Sequence, residues 1–262
     1  MLLEAIQYLT TPCPWAYRRM GYLKELIATE ARWRRCRAAW QPHLDRSRAV
    51  IAKAADATAG ADKAVIIGAG MLADVPLGML AKKFRKVELV DVCFSKRTRR
   101  IVWPQPHIDL RTCDVTGVAD ALARGELPVP GEGGGLSLAD ADLVVSANVL
   151  SQLPLVPLAY LRKTQPHLDD ASLDTLAEGM IRHHLALLET CPGTVCLVTE
   201  VERQRRDGDR LIESEDPLRG VMPDRPGDEW VWDIAPRYEV SPDYEIRNRV
   251  RGLMWQGSEP GV

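Results

Sequence analysis

No two of the six cysteines form a C-x-x-C pair. Cys13, Cys36, Cys93, Cys113, Cys191 and Cys196 are scattered, and the five histidines are equally dispersed. That spacing excludes a disulfide framework or a zinc site of the paired-cysteine kind and fits free thiols in a reducing cytoplasm. Long apolar runs are missing as well. No stretch approaches the roughly 18 apolar residues that a membrane span needs. The opening MLLEAIQYLTTPCPW has neither a basic segment nor a long apolar core, so no signal peptide is expected. Nor is one sign of charge in excess: the formal net charge is −2 and the pI is near 6.2. A global basic field for nucleic acid is thereby excluded.

What is present is a chain of 262 residues, 46% of them hydrophobic, enough for one large domain or a domain with an appendage. Residues 15 to 57 read as helix, with Leu23, Leu26, Ile27, Trp33, Trp40, Leu44 and Ile51 near helical spacing and Pro42 as the expected kink or break. From residue 63 the rhythm changes. KAVII, KVELVDV, HIDLRTCDVT, ADLVVSA and GTVCLVTEV read as strands, and helical patterns fall between them. Ser95 is placed to cap one such helix and Pro76 to open another. The alternation predicts an α/β fold, doubly wound around a mostly parallel sheet. EWVWDIA and EIRNRVRGLMW follow without a helix between them and predict an antiparallel pair at one edge. Residues 125–138 and 202–228 read as loops, the second with a possible hairpin at Asp207-Gly208. The expected organisation is an N-terminal helical extension over residues 1–60 and a nucleotide-binding domain over 61–262.

Ligands of open α/β sheets bind beyond the carboxyl ends of the strands, so the residues just past each strand carry the information. Strand one ends in Gly68-Ala69-Gly70, which lets the backbone approach a ligand. Strand two ends in Asp91-Val92, roughly 20 residues further on, where a carboxylate can accept ribose hydroxyl protons. Strand three runs into Asp114-Val115, whose acid could accept from an adenine amino group. Strand four ends in Asn148, whose amide both donates and accepts. Each has a structural alternative: tight turns need glycine, Asp91 and Asp114 could cap the following helices, and Asn148 could satisfy loop backbone.

In this order the strand ends resemble the class I S-adenosylmethionine-dependent methyltransferases, over roughly residues 60 to 255. The resemblance implies a seven-stranded Rossmann-like sheet with a reversed edge strand. By it Gly68, Ala69 and Gly70 hold the methionine end of the cofactor, Asp91 the ribose and Asp114 the adenine. DLVVSANVLSQLP is similar to the strand-four signature that lines the methyl-transfer site. The glycine motif is atypical: Leu72 and Ala73 stand where a further glycine is usual.

The function expected is methyl transfer from S-adenosylmethionine to an unidentified acceptor, a small molecule by default. Arginines at 32–48, 97–100 and 203–210 permit an acidic acceptor such as RNA, which the net charge supports weakly. His43, on one helix face with Arg32, Cys36, Trp40 and Ser47, is the candidate general base; Asn148 and Glu200 are the other candidates for the reacting site. His183 and His184 point about 100° apart on a helix and cannot readily share a metal, so none is expected. Trp230 and Trp232 alternate on one strand face and read as packing before stacking on a ligand. Two other readings stay open: a methyltransferase-like protein that binds a nucleotide without turnover, and an NAD(P)-dependent oxidoreductase. Against the second stand the missing third glycine and the paired terminal strands.

Overall fold

The computed structural model describes residues 2–133 and 135–257. Four helices come first: α1 (Leu2–Thr10), α2 (Trp15–Met20), α3 (Tyr22–Arg35) and α4 (Arg37–Ala57). The breaks between the last three fall at Gly21, in the left-handed region at φ 109°, and at Cys36. The break expected at Pro42 is corrected: α4 runs through it. Pro42 lies in the second turn of α4, where its missing N–H removes a single intrahelical bond.

The alternating region follows as β1 (Lys63–Ile67), α5 (Leu77–Lys83), β2 (Lys86–Asp91), α6 (Lys96–Val102), β3 (Ile108–Thr112), α7 (Ala119–Arg124) and β4 (Leu143–Ala147). A short 3-10 turn (Leu150–Gln152), α8 (Leu155–Thr164), α9 (Asp170–Glu189), β5 (Thr194–Asp207), β6 (Arg210–Glu215), β7 (Gly227–Ala235) and β8 (Glu245–Gln256) complete it. Ser95 does cap α6, accepting from the Thr98 amide at 3.0 Å, and Asp169 caps α9 through the Ser172 amide at 2.7 Å. Such caps are worth about 1 kcal/mol each.

The sheet runs in the order β3-β2-β1-β4-β5-β8-β7. Its first five strands are parallel, and β8 enters antiparallel between β5 and β7. This is the mostly parallel seven-strand path with a reversed strand that the resemblance implies. An eighth strand, β6, pairs only with the outer end of β5. The loop expected at 202–228 is therefore shorter. Its first part is a hairpin that turns at Gly208-Asp209, where Gly208 has φ +58°.

Both faces of the sheet are covered, and the period of two in β1 shows how. Ala64 and Ile66 join a core with Ile51, Leu80, Val145 and Trp230, whereas Val65 and Ile67 join another with Val144, Ile181, Leu188 and Leu197. Helix α4 belongs to the first of these cores through Trp40, Leu44, Ile51 and Ala54. It lies against β7 and β5 and so places its inward face near the strand ends. The Gly-rich stretch at 125–138 is irregular but pinned: the Gly131 and Gly133 amides donate to the carbonyls of Thr116 and Gly117 at 2.8 and 3.1 Å. No helix among the described residues is long and apolar enough to cross a membrane.

Candidate active site at the strand ends

The carboxyl ends of β1, β2, β3 and β4 open into one cleft, roofed by α3 and α4 and closed at the side by Trp232 of β7. Its empty space, mouth included, is about 1220 Å³.

The turn after β1 is built around close approach. Gly68 has φ +85°, and a Cβ there would lie 2.5 Å from the Ala147 carbonyl oxygen. A Cβ on Gly70 would lie 2.8 Å from the Cys93 carbonyl and 2.9 Å from Asp91 Oδ2. The Gly70 amide donates to that same Oδ2 at 2.8 Å, so the acid after β2 and the glycine bend form one unit. The Cys93 amide donates to Asp91 Oδ1 at 3.3 Å. Burial pushes the Asp91 carboxyl up to about 6, against the pull of these amides. Val92 and Val115 line the cleft beside it; Ala69 is fully buried beneath and does not.

Past Gly70 no helix starts at once. Residues 71–76 run irregularly to α5, and Leu72 has φ +54°, a left-handed backbone on a branched residue where the resembled motif has glycine. Holding a side chain in that conformation costs about 1–2 kcal/mol.

Three expected roles are corrected by hydrogen-bond geometry. Asp114 lines the cleft, but its carboxylate is saturated. Oδ1 accepts from the Thr116 amide at 2.9 Å and its hydroxyl at 2.6 Å; Oδ2 accepts from the amides of Val118 and Ala119 at 2.9 and 2.8 Å. Four acceptor positions meet four donors, so the side chain holds the start of α7 and keeps no lone pair for adenine. His43 also lines the cleft, but its Nδ1 accepts from the Trp230 indole N–H at 3.1 Å, which leaves the proton on Nε2. Burial drives its imidazole down to about 3. It is a donor and a ring surface, not a base. Glu200 is buried behind the wall, where its carboxyl takes the Ser151 hydroxyl, and it does not line the cleft. Burial raises its carboxyl.

Asn148 stands where it was expected, with φ +51°. Its Nδ2 donates to Asp74 Oδ2 at 2.5 Å, while its Oδ1 is buried with no partner among the described residues. Asp74 itself lines the cleft, and burial raises its carboxyl. Sequence reasoning missed Asp74, which nothing in MLADVP distinguishes from a loop acid. It also missed Tyr22, Glu25, Leu26 and Thr29, which line the roof. Their spacing of three, one and three is a helix face and was readable. Trp232 serves packing and cleft together: it stacks on His43 at 3.9 Å between centroids and meets Trp40 edge-on at 4.9 Å.

The charged residues lining the cleft are Glu25, Asp74, Asp91 and Asp114, with no Lys or Arg among the described residues. Arg48, near enough to oppose the rise of Asp74, is turned to the Ala73 carbonyl and to Asp45.

No protein-family model matches the sequence, and no curated protein matches it. Solved structures do overlap the fold. The N-methyltransferase NodS from Bradyrhizobium japonicum WM9 is 12% identical, with 81% of this chain and 97% of that one covered at a TM-score of 0.39. DhpI, in complex with SAH, is 14% identical, with 89% and 96% covered at 0.35. The 1,6-didemethyltoxoflavin-N1-methyltransferase of Burkholderia thailandensis, with bound 1,6-didemethyltoxoflavin and S-adenosylhomocysteine, is 13% identical, with 92% and 91% covered at 0.38.

Proposed function

We propose that the chain transfers a methyl group from S-adenosylmethionine to a small-molecule acceptor. The observation that carries this reading is the Gly70–Asp91 unit, set over a cleft whose charged lining is entirely acidic. Asp91 accepts from the amides of Gly70 and Cys93, with the Val92 amide also turned toward it, and keeps acceptor capacity for a sugar hydroxyl. The glycines leave room that a side chain would fill. Val92 and Val115 offer apolar surface to a base, and the orphaned Asn148 Oδ1 asks for a donor. The cofactor would bring an activated methyl group on a cationic sulfur, so the protein's task is alignment and exclusion of water.

A dinucleotide suits the cleft poorly. A pyrophosphate wants a helix N-terminus directly after the glycine turn, but α5 begins only at Leu77. Four carboxylates without a facing cation would repel it. Calorimetry with S-adenosylmethionine, S-adenosylhomocysteine and NADH tests the reading. Binding of the two sulfur nucleotides and not of NADH is expected; the reverse order would overturn it.

A further inference from the structure

The cleft is rich in acceptor oxygens and its charged lining is acidic, and that combination bears on the acceptor's chemistry. Asn148 is 8% exposed and commits its Nδ2 to Asp74, so the atoms this pair can offer a ligand are oxygens with free lone pairs. A buried acceptor without a donor costs free energy that an incoming N–H restores. The lining is otherwise largely apolar, with Leu26, Leu153, Val156 and parts of Trp40 and Trp232, a surface for a hydrocarbon or aromatic group; one face of Trp232 is already covered by His43. The group lining the cleft beside Asn148 that can take a proton is the Asp74 carboxylate, since the lone pair of His43 Nδ1 is already committed to Trp230.

We propose that the methyl acceptor is an amine borne on an aromatic or other planar apolar group, its nitrogen bound through N–H to Asn148 Oδ1 and the Asp74 carboxylate. This deepens the methyl-transfer reading and rests on it. The acceptor arrives as an ammonium ion and first gives one proton to the Asp74 carboxylate. The freed amine lone pair then forms the new N–C bond, the S–C bond breaks, and its electron pair stays on sulfur. Positive charge thus passes from sulfur to nitrogen inside an acidic site, where it stays stabilised throughout. The proton held on Asp74 then leaves to water. Deprotonating an alcohol or phenol would put an anion next to the same carboxylates, which oppose it, whereas the amine is deprotonated only to its neutral form.

The test uses benzylamine, benzyl alcohol and benzoate as probes of one shape. Calorimetry on the full chain with saturating S-adenosylhomocysteine should show benzylamine binding at least about tenfold tighter than the alcohol, with benzoate undetected. Mass spectrometry with S-adenosylmethionine should show methylation of the amine alone. Asp74→Asn should weaken benzylamine about tenfold while leaving the Kd for S-adenosylhomocysteine within twofold. If Asp74→Asn instead weakens the nucleotide and spares benzylamine, the acceptor pair serves the cofactor's own amino group and the proposal falls. Preference for benzyl alcohol or benzoate in the wild-type protein overturns it with no variant needed. Failure of S-adenosylhomocysteine to bind would remove the methyl-transfer reading itself, a result separable from the amine comparison.

Discussion

At the scale of single residues, function depends on which lone pairs and conformations are already spent. Asp91 retains acceptor capacity and Asp114 does not, although both are acids just past a strand. Asp91→Ala should therefore weaken S-adenosylhomocysteine by about 10- to 100-fold in calorimetry, the worth of hydrogen bonds to a charged acceptor. Because burial holds the Asp91 carboxyl near 6, that affinity should fall as pH drops through about 6, where protonation turns an acceptor oxygen into a hydroxyl. A pH titration of the Kd checks this, and a flat profile would detach Asp91 from the ligand. Leu72 makes a different prediction. It is 7% exposed, so truncation opens a cavity costing about 2–5 kcal/mol. Its φ of +54°, however, penalises any residue with a Cβ. Leu72→Gly should therefore be more stable than Leu72→Ala by about 1 kcal/mol in urea denaturation, reversing the usual order.

At the scale of elements, α4 and β7 together wall one side of the cleft. Trp230 and Trp232 alternate with exposed residues on β7, and α4 meets them with Trp40 and His43 at a three-residue step. The Trp230 indole fixes the His43 tautomer. Trp230→Phe should leave His43 Nδ1 a buried acceptor without a donor and cost about 1–3 kcal/mol in chemical denaturation. A loss below a few tenths would show that water or a ring flip satisfies the nitrogen.

At the scale of the whole molecule, two buried neutral imidazoles tie folding to pH. His43 and His184 are held near 3 by burial, against 6.5 for the free side chain. Their folded values lie below their unfolded values, so the unfolded chain binds more protons. The stability they contribute is present above about 6.5 and is lost as pH falls, at about 1.4 kcal/mol per pH unit per group. Asp74, Asp91 and Glu200 work in the opposite sense: raised by burial, they favour the folded state as pH falls. Comparing a variant isolates one group. His184, bonded to Ser146 at 2.9 Å, does not line the cleft. In His184→Gln the drop in unfolding free energy from pH 7 to 5 should be smaller than in wild type by about 2 kcal/mol. An equal drop would show that His184 titrates normally in the fold.

The order of strands and helices from residue 63 onward was determined by the sequence itself, because periodicity, caps and turn residues act within a few positions of one another. The β-branched apolar run of KAVII, the Ser95 cap and the Asp207-Gly208 turn region all act locally, and all are found in the fold. The convergence of Gly68, Gly70, Asp91 and Asn148 was likewise legible, since in a parallel sheet strand ends share one edge. Only the tertiary structure decided which of these side chains remain available. His43 is spent on Trp230 and Glu200 on Ser151, while Asp74 arrives from a loop with nothing local to mark it; the commitment of Asp114 to Thr116, Val118 and Ala119, by contrast, is local and is the capping role the sequence left open. Hydrogen-bond partners 40 to 190 residues apart are chosen by packing, and no spacing along the chain encodes which lone pair packing will leave free.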